Sequence, residues 1–263
     1  NETGHSMGTG TAATYDLGLV DPTAAYNLST NPAVGAFIYR SGVGAGTFSS
    51  TGVSLSWNYQ QDGVGDNDTV EIQVFGVEMI LVPQGTFFAG DNDSSTGAFK
   101  QGSSDIDAWY IGSESAISVT NTSGNGSTSG QTLDSYYYQS DSSSDDDSSG
   151  SAFTIPAGYP KGYGAFYIMK GELSQGQWVT FFNLLTATQQ STRDITGASG
   201  KNSDSLTYRN NVSWTGSGNA TLPDQGGGAK YEGTAMNYLR WSDLAAYLDW
   251  AGLRPMSELE FER

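Results

Sequence analysis

Residues 236–262 read MNYLRWSDLAAYLDWAGLRPMSELEFE, and two helix starts and one helix stop are written into them. Ser242 is a candidate N-cap. After it Leu244, Ala245, Leu248 and Ala251 fall on one face of a 3.6-residue repeat, and Gly252 supplies the left-handed stop. Ser257-Glu258-Leu259-Glu260 is a capping box that opens another helix. Trp241, Trp250 and Phe261 are expected to anchor the core from these helix faces. The last helix has barely begun at Arg263, and one or two turns have no independent stability, so this domain is expected to be incomplete at its C-terminus.

Upstream, Ser174 is a natural cap for a helix carrying Trp178, Phe181, Phe182 and Leu185 on one face, and residues 165–173 (AFYIMKGEL) lead into it as a strand. A polar stretch rich in Gly and Asn, about 191–232, reads as an insertion between these helices. Residues 77–90 (VEMILVPQGTFFAG) read as an apolar strand, a Pro-Gln-Gly turn and an aromatic return strand. A second polar insertion, about 91–150, carries short strand candidates at 106–111, 116–120 and 133–138 and ends in DSSSDDDSSG, which is too polar to pack. Ahead of it, residues 52–59 and 69–75 alternate apolar and polar side chains with the period of a strand and 34–40 (VGAFIYR) read as a further strand, whereas residues 1–33 show only weak periodicity. The expected fold class is α+β. An antiparallel β unit over 1–77 precedes a domain over 78–263 with few short helices.

Three segments carry a family resemblance. Residues 78–87 (EMILVPQGTF), 166–178 (FYIMKGELSQGQW) and 236–262 resemble, in order, three stretches of the formylglycine-generating enzyme (sulfatase-modifying factor) family. The last is the most specific. The resemblance implies an irregular C-type-lectin-like fold over 78–263, with the first 77 residues similar to a β-rich extension found ahead of some bacterial members. Oxygen-dependent members of that family bind copper through a cysteine pair in the C-terminal half of the domain. This chain has no cysteine, and its single histidine, His5, cannot build the His-rich site of iron-dependent relatives. No catalytic residue is therefore carried over.

Composition narrows the partners. The 263 residues include 11 Lys+Arg against 28 Asp+Glu, a net charge of -17, which makes nucleic-acid phosphates and anionic lipid poor partners. No apolar run approaches the ~20 residues of a bilayer span. Zero cysteines exclude disulfides and thiolate chemistry, and a lone His5 excludes a Ser-His-Asp triad. Low charge, a Ser/Thr/Gly-rich texture and Asn rather than Met in first place fit a mature secreted chain, located outside the cell or on its surface. Loop carboxylates Asp62, Asp66, Asp68, Asp91 and Asp93 are candidate calcium ligands, although their spacing is not that of an EF-hand. No other cofactor is expected. Solvated turns are the plainer reading of the same residues.

Three functional classes stay open, in this order. The first is a secreted, non-catalytic structural protein of an extracellular fibre, tube or layer, associating with itself or with other extracellular chains. The second is a surface module that binds carbohydrate or protein, with the tyrosines of Tyr136-Tyr137-Tyr138 as candidate contacts. The third is part of a copper-dependent formylglycine-generating oxidase whose catalytic half lies outside this sequence.

Overall fold

A computed structural model describes residues 7–9, 15–20, 35–40, 55–57, 59–60, 63–90, 98–101, 108–119, 136–139, 152–223 and 231–263. Its class is α+β, with short helices and small, mostly antiparallel sheets. The chain forms two compact units that are not consecutive in sequence. One comprises Asn1–Gly76 with Gly171–Pro255, the other Val77–Lys170 with Met256–Arg263.

The first unit holds strands β1 (Met7–Thr9), β2 (Tyr15–Val20), β3 (Gly35–Arg40) and β4 (Leu55–Trp57). β1 pairs antiparallel with β4, and β2 with β3 in the register Tyr15↔Arg40 to Val20↔Gly35. Two of these four strands lie in the stretch 1–33, where sequence periodicity gave no strand. Residues 69–75 depart the other way: their strand-like alternation is present, but they join no sheet.

The helices of this unit start where backbone N–H groups find side-chain acceptors. Helix α1 (Gln175–Asn183) is capped by Ser174 as expected, and Gln177 completes a capping box: Gln177 N donates to Ser174 Oγ at 3.2 Å and Ser174 N to Gln177 Oε1 at 2.9 Å. A six-residue helix, α2 (Ala187–Thr192), follows on a second box built from Thr186 and Gln189. Helix α3 (Trp241–Trp250) begins before Ser242, the expected cap. Its N-cap is Arg240, whose N–H is taken by Asp243 Oδ2 at 3.1 Å, because a carboxylate at the third helical position out-competes a serine at the second. The stop at Gly252 is as read, with φ +69. Gly252 N donates to Asp249 O at 3.2 Å and Leu253 N to Leu248 O at 2.8 Å, a Schellman closure.

The core of this unit is aromatic. Trp178, Phe181 and Phe182 from α1 are buried with Tyr247 and Leu248 from α3 and with Val212 and Trp214. Phe181 meets Tyr247 edge-on at 5.7 Å and Phe182 meets Trp214 at 5.3 Å. Each fully buried aromatic contributes about 1.5–3 kcal/mol of apolar transfer. The expectation for Trp241 is overturned: it is 67 % exposed. Asp243, Tyr247 and Trp250 recur at i, i+4 and i+7 on the inward face, and Trp241 lies about 200° around the helix from Asp243.

The second unit holds β5 (Met79–Val82), β6 (Phe87–Ala89), β7 (Ala98–Gln101), β8 (Trp109–Ile111), β9 (Ile117–Val119), β10 (Tyr136–Gln139), β11 (Phe153–Ile155), β12 (Phe166–Met169) and helix α4 (Glu258–Glu262). A four-stranded sheet runs β11-β9-β10-β7, with β9 and β10 parallel. β5 and β6 are not the hairpin partners that the Pro-Gln-Gly turn suggested. β5 pairs with β12, Met79 opposite Met169, and β6 pairs with β8, Phe87 opposite Ile111. The turn redirects the chain instead, and Gly85 N donates to Tyr163 O at 3.0 Å. Ala89, Trp109, Ile111, Ile117, Val119 and Leu259 form the core, so the stretch read as a polar insertion supplies most of it.

Helix α4 opens with its capping box as expected, Glu260 N to Ser257 Oγ at 3.1 Å and Ser257 N to Glu260 Oε2 at 2.9 Å. The box turns Glu260 inward beside buried Leu259, which leaves Phe261 on the far side, 67 % exposed, rather than in the core. The interior also holds two buried lysines, Lys100 and Lys161. Lys161 is fully buried, and its Nζ donates to the carbonyls of Pro156 and Tyr159, both at 2.8 Å, and to Glu114 O at 3.4 Å. Burial pushes its pKa below the usual lysine value, although the nearby Glu114 carboxylate pulls the other way.

Candidate functional site

The structure places Asp66 and Asp68 in one exposed turn, where they serve the backbone and nearby side chains. Asp66 Oδ1 accepts from Tyr59 OH at 3.0 Å and from Gln60 Nε2 at 2.9 Å, and Asp68 Oδ2 accepts from Gly65 N at 2.8 Å. Asp62, Asp91 and Asp93, like His5, lie outside the described residues. Among the described residues no group of three or more His, Cys, Asp or Glu side chains is arranged to hold a metal ion. Among them, too, no helix is long and apolar enough to cross a membrane.

The turn hands the chain to the most unusual surface of the first unit. Residues 69–75 (TVEIQVF) belong to no helix or strand, and no backbone hydrogen bond to another described residue involves them. Their apolar side chains face water: Val70 is exposed, Ile72 is 70 % exposed and Val74 is 85 % exposed. Gln73 Nε2 donates to Glu71 Oε1 at 2.7 Å, as expected when residues two apart share one side of an extended chain. Phe75 anchors the end of the segment, its ring 5.1 Å from that of Trp250. An extended chain with unpaired N–H and C=O groups and an apolar row is a template for another strand.

The segment is also complementary to itself. In an antiparallel pair centred on Ile72, Val70 of one copy faces Val74 of the other, Ile72 faces Ile72, and Glu71 faces Gln73. Like charges never meet across such a pair, whereas a parallel in-register pair sets Glu71 against Glu71. Sequence periodicity located the segment but gave no sign that it stands alone, because alternation looks the same in a paired and an unpaired strand.

A second surface belongs to the other unit. Tyr110, Ile111, Gly112, Ser113, Ser115, Ala116, Ile117, Ser118 and Tyr136 line an open depression of about 310 Å³. Tyr136 OH donates to Tyr110 O at 2.9 Å, which fixes one wall. Of the tyrosine run singled out in the sequence, Tyr136 alone has a described side chain, and it packs edge-on against Trp109 at 5.3 Å.

Comparison of the chain with protein-family models, curated proteins and solved structures finds no match. The functional reading therefore rests on these surfaces.

Proposed function

We propose that this chain is a secreted, non-catalytic structural protein of an extracellular fibre, tube or layer, built on a scaffold that resembles formylglycine-generating enzymes and C-type lectins. One observation carries the reading: residues 69–75 are an exposed segment outside every sheet, with strand-like alternation that is complementary to itself. A second copy adding its own strand there satisfies the free backbone groups and removes Ile72 and Val74 from water, the mode of recognition known as β-augmentation. The contact is isologous and by itself closes as a two-fold dimer.

The test is association of the purified chain, measured by analytical ultracentrifugation and electron microscopy. The wild type is expected to self-associate, and Ile72→Lys with Val74→Lys to weaken the strand contact by about tenfold or more. Neither side chain supports the unit's own core, so the thermal melt stays where it was. Equal association of the variant would overturn the role of the segment. A wild type that stays monomeric at high micromolar concentration would overturn the assembly reading.

A second reading, a carbohydrate-binding surface module, draws on the open depression. Tyrosine faces and serine hydroxyls are the groups that stack on and hydrogen-bond to sugars, and Tyr110 and Tyr136 stand there among Ser113, Ser115 and Ser118. A glycan array with a Tyr110→Ala control tests it.

A further inference from the structure

The turn Thr207-Tyr208-Arg209-Asn210 is a two-residue hairpin loop, closed by Thr207 N to Asn210 O at 3.2 Å and Asn210 N to Thr207 O at 2.9 Å. Its two central residues have φ +44 and +67, the type I′ conformation that Asn-Gly adopts without strain. Here the residues are tyrosine and arginine, and the left-handed backbone costs each of them about 1–2 kcal/mol.

That cost is met by side-chain donors, two of them buried, that hold successive carbonyls of the turn. Asn237 Nδ2 donates to Tyr208 O at 3.1 Å, Gln175 Nε2 to Arg209 O at 2.8 Å, and Lys201 Nζ to Asn210 O at 2.9 Å. Gln175, Lys201 and Asn210 are all buried. Asn210 Nδ2 ties the set together through Asn237 Oδ1 at 2.8 Å. The result is a rigid backbone that thrusts its side chains outward. Tyr208 is 83 % exposed, Leu206 and Arg209 are exposed beside it, and among the described residues no carboxylate pairs with the Arg209 guanidinium.

Folding alone does not account for this choice. Asn-Gly would fit the same turn with less strain, and an exposed tyrosine adds nothing to the core. Tyrosine and arginine are, however, the residues that most often dominate the energetics of protein interfaces, and a preformed tip binds without an ordering cost. In a chain with 28 acidic against 11 basic residues, an unpaired arginine on a protruding turn is complementary to the surface of another copy of the same chain.

We propose that the Tyr208-Arg209 turn is a preorganised docking knob that engages an acidic surface of a second copy. The inference rests on the assembly reading and deepens it. With the receiving surface set apart from the knob, the contact is heterologous and builds a ring or an open array, whereas the 69–75 contact closes on itself. Together the two build assemblies larger than a dimer.

The test replaces the turn by its unstrained form, Tyr208→Asn with Arg209→Gly, in the full chain. The variant is expected to melt at the same temperature as the wild type or higher, while species larger than a dimer fall by about tenfold or more in sedimentation. Raising the salt concentration should reproduce part of that loss in the wild type. Arrays that persist undiminished in the variant would overturn the knob and leave the assembly reading standing. A wild type that is monomeric throughout would overturn both.

Discussion

The two compact units bury different mixtures of polar groups. In the unit that contains α1 and α3, the interior polar residues are mostly amides. Gln175, Gln190 and Asn210 thread side-chain hydrogen bonds around an aromatic centre. In the other unit the buried polar side chains among the described residues are charged: Lys100, Lys161 and Glu260. Lys161 collects three carbonyls, and Glu114 takes the backbone N–H of Lys161 at 2.8 Å and of Gly164 at 2.8 Å. An amide network spreads its load over many bonds, most of them between neutral groups, with Lys201 as the one buried ammonium among the described residues of that unit. A caged cation concentrates it in one residue, and its strength depends on that residue's proton. The comparison implies that the first unit tolerates single polar substitutions better and that the second is vulnerable at one point.

The largest effect should come from the apolar centres. Trp178→Ala, which removes a fully buried ring, and Trp109→Ala, which removes the ring between Phe99 and Tyr136, are each expected to cost about 3–5 kcal/mol. Calorimetry shows whether each substitution moves a separate transition. A single transition shifted equally by both would erase the distinction between the units.

Lys161→Met should follow, destabilising the second unit by about 1–3 kcal/mol, because it leaves carbonyls in an apolar interior with their donor gone. Asn211→Ala is the contrasting change, since its Nδ2 has no partner, and it should cost less in a denaturant titration. If the two cost the same, concentration of load in Lys161 is not the distinguishing feature.

The smallest effect is a pH dependence of the first unit. Burial raises the Tyr247 pKa above its usual value of 10.0. The folded chain therefore keeps this proton where the unfolded chain releases it. Stability is lost as pH climbs above about 10, and none is lost below it on this account. Tyr247→Phe should flatten that part of the alkaline melting curve, as followed by circular dichroism.

What could be read in the sequence was local. The cap at Ser174, the capping box at Ser257, the glycine stop at 252 and the inward face of α1 each depend on residues within one or two turns of one another, so they survive without knowledge of the fold. The same signal was present at Thr186 and Gln189 and went unread beside a polar stretch. Pairing was not legible. β5 is matched with β12 far along the chain, and a Pro-Gln-Gly turn next to β5 pointed to the wrong neighbour. Nor could sequence tell that Trp241 and Phe261 would face water, because that follows from which side Asp243 and Glu260 turn inward. Of the candidate surfaces, the alternation at 69–75 was visible and its isolation was not. The strained turn at 208–209 gave no signal, since Tyr-Arg is not a sequence that announces a type I′ hairpin.

The interrupted course of the second unit sets an order of events during synthesis. Leu259 completes the core that begins at Ala89, and the chain must first build residues 171–255. At about 5–20 residues per second, those 85 residues take roughly 4–17 s to add. For that interval Trp109, Ile111 and Ile117 have emerged without the helix that covers them. The first unit's aromatic centre, from Trp178 to Leu248, is complete before Leu259 is added, so the earlier-made β segment is the later one to close.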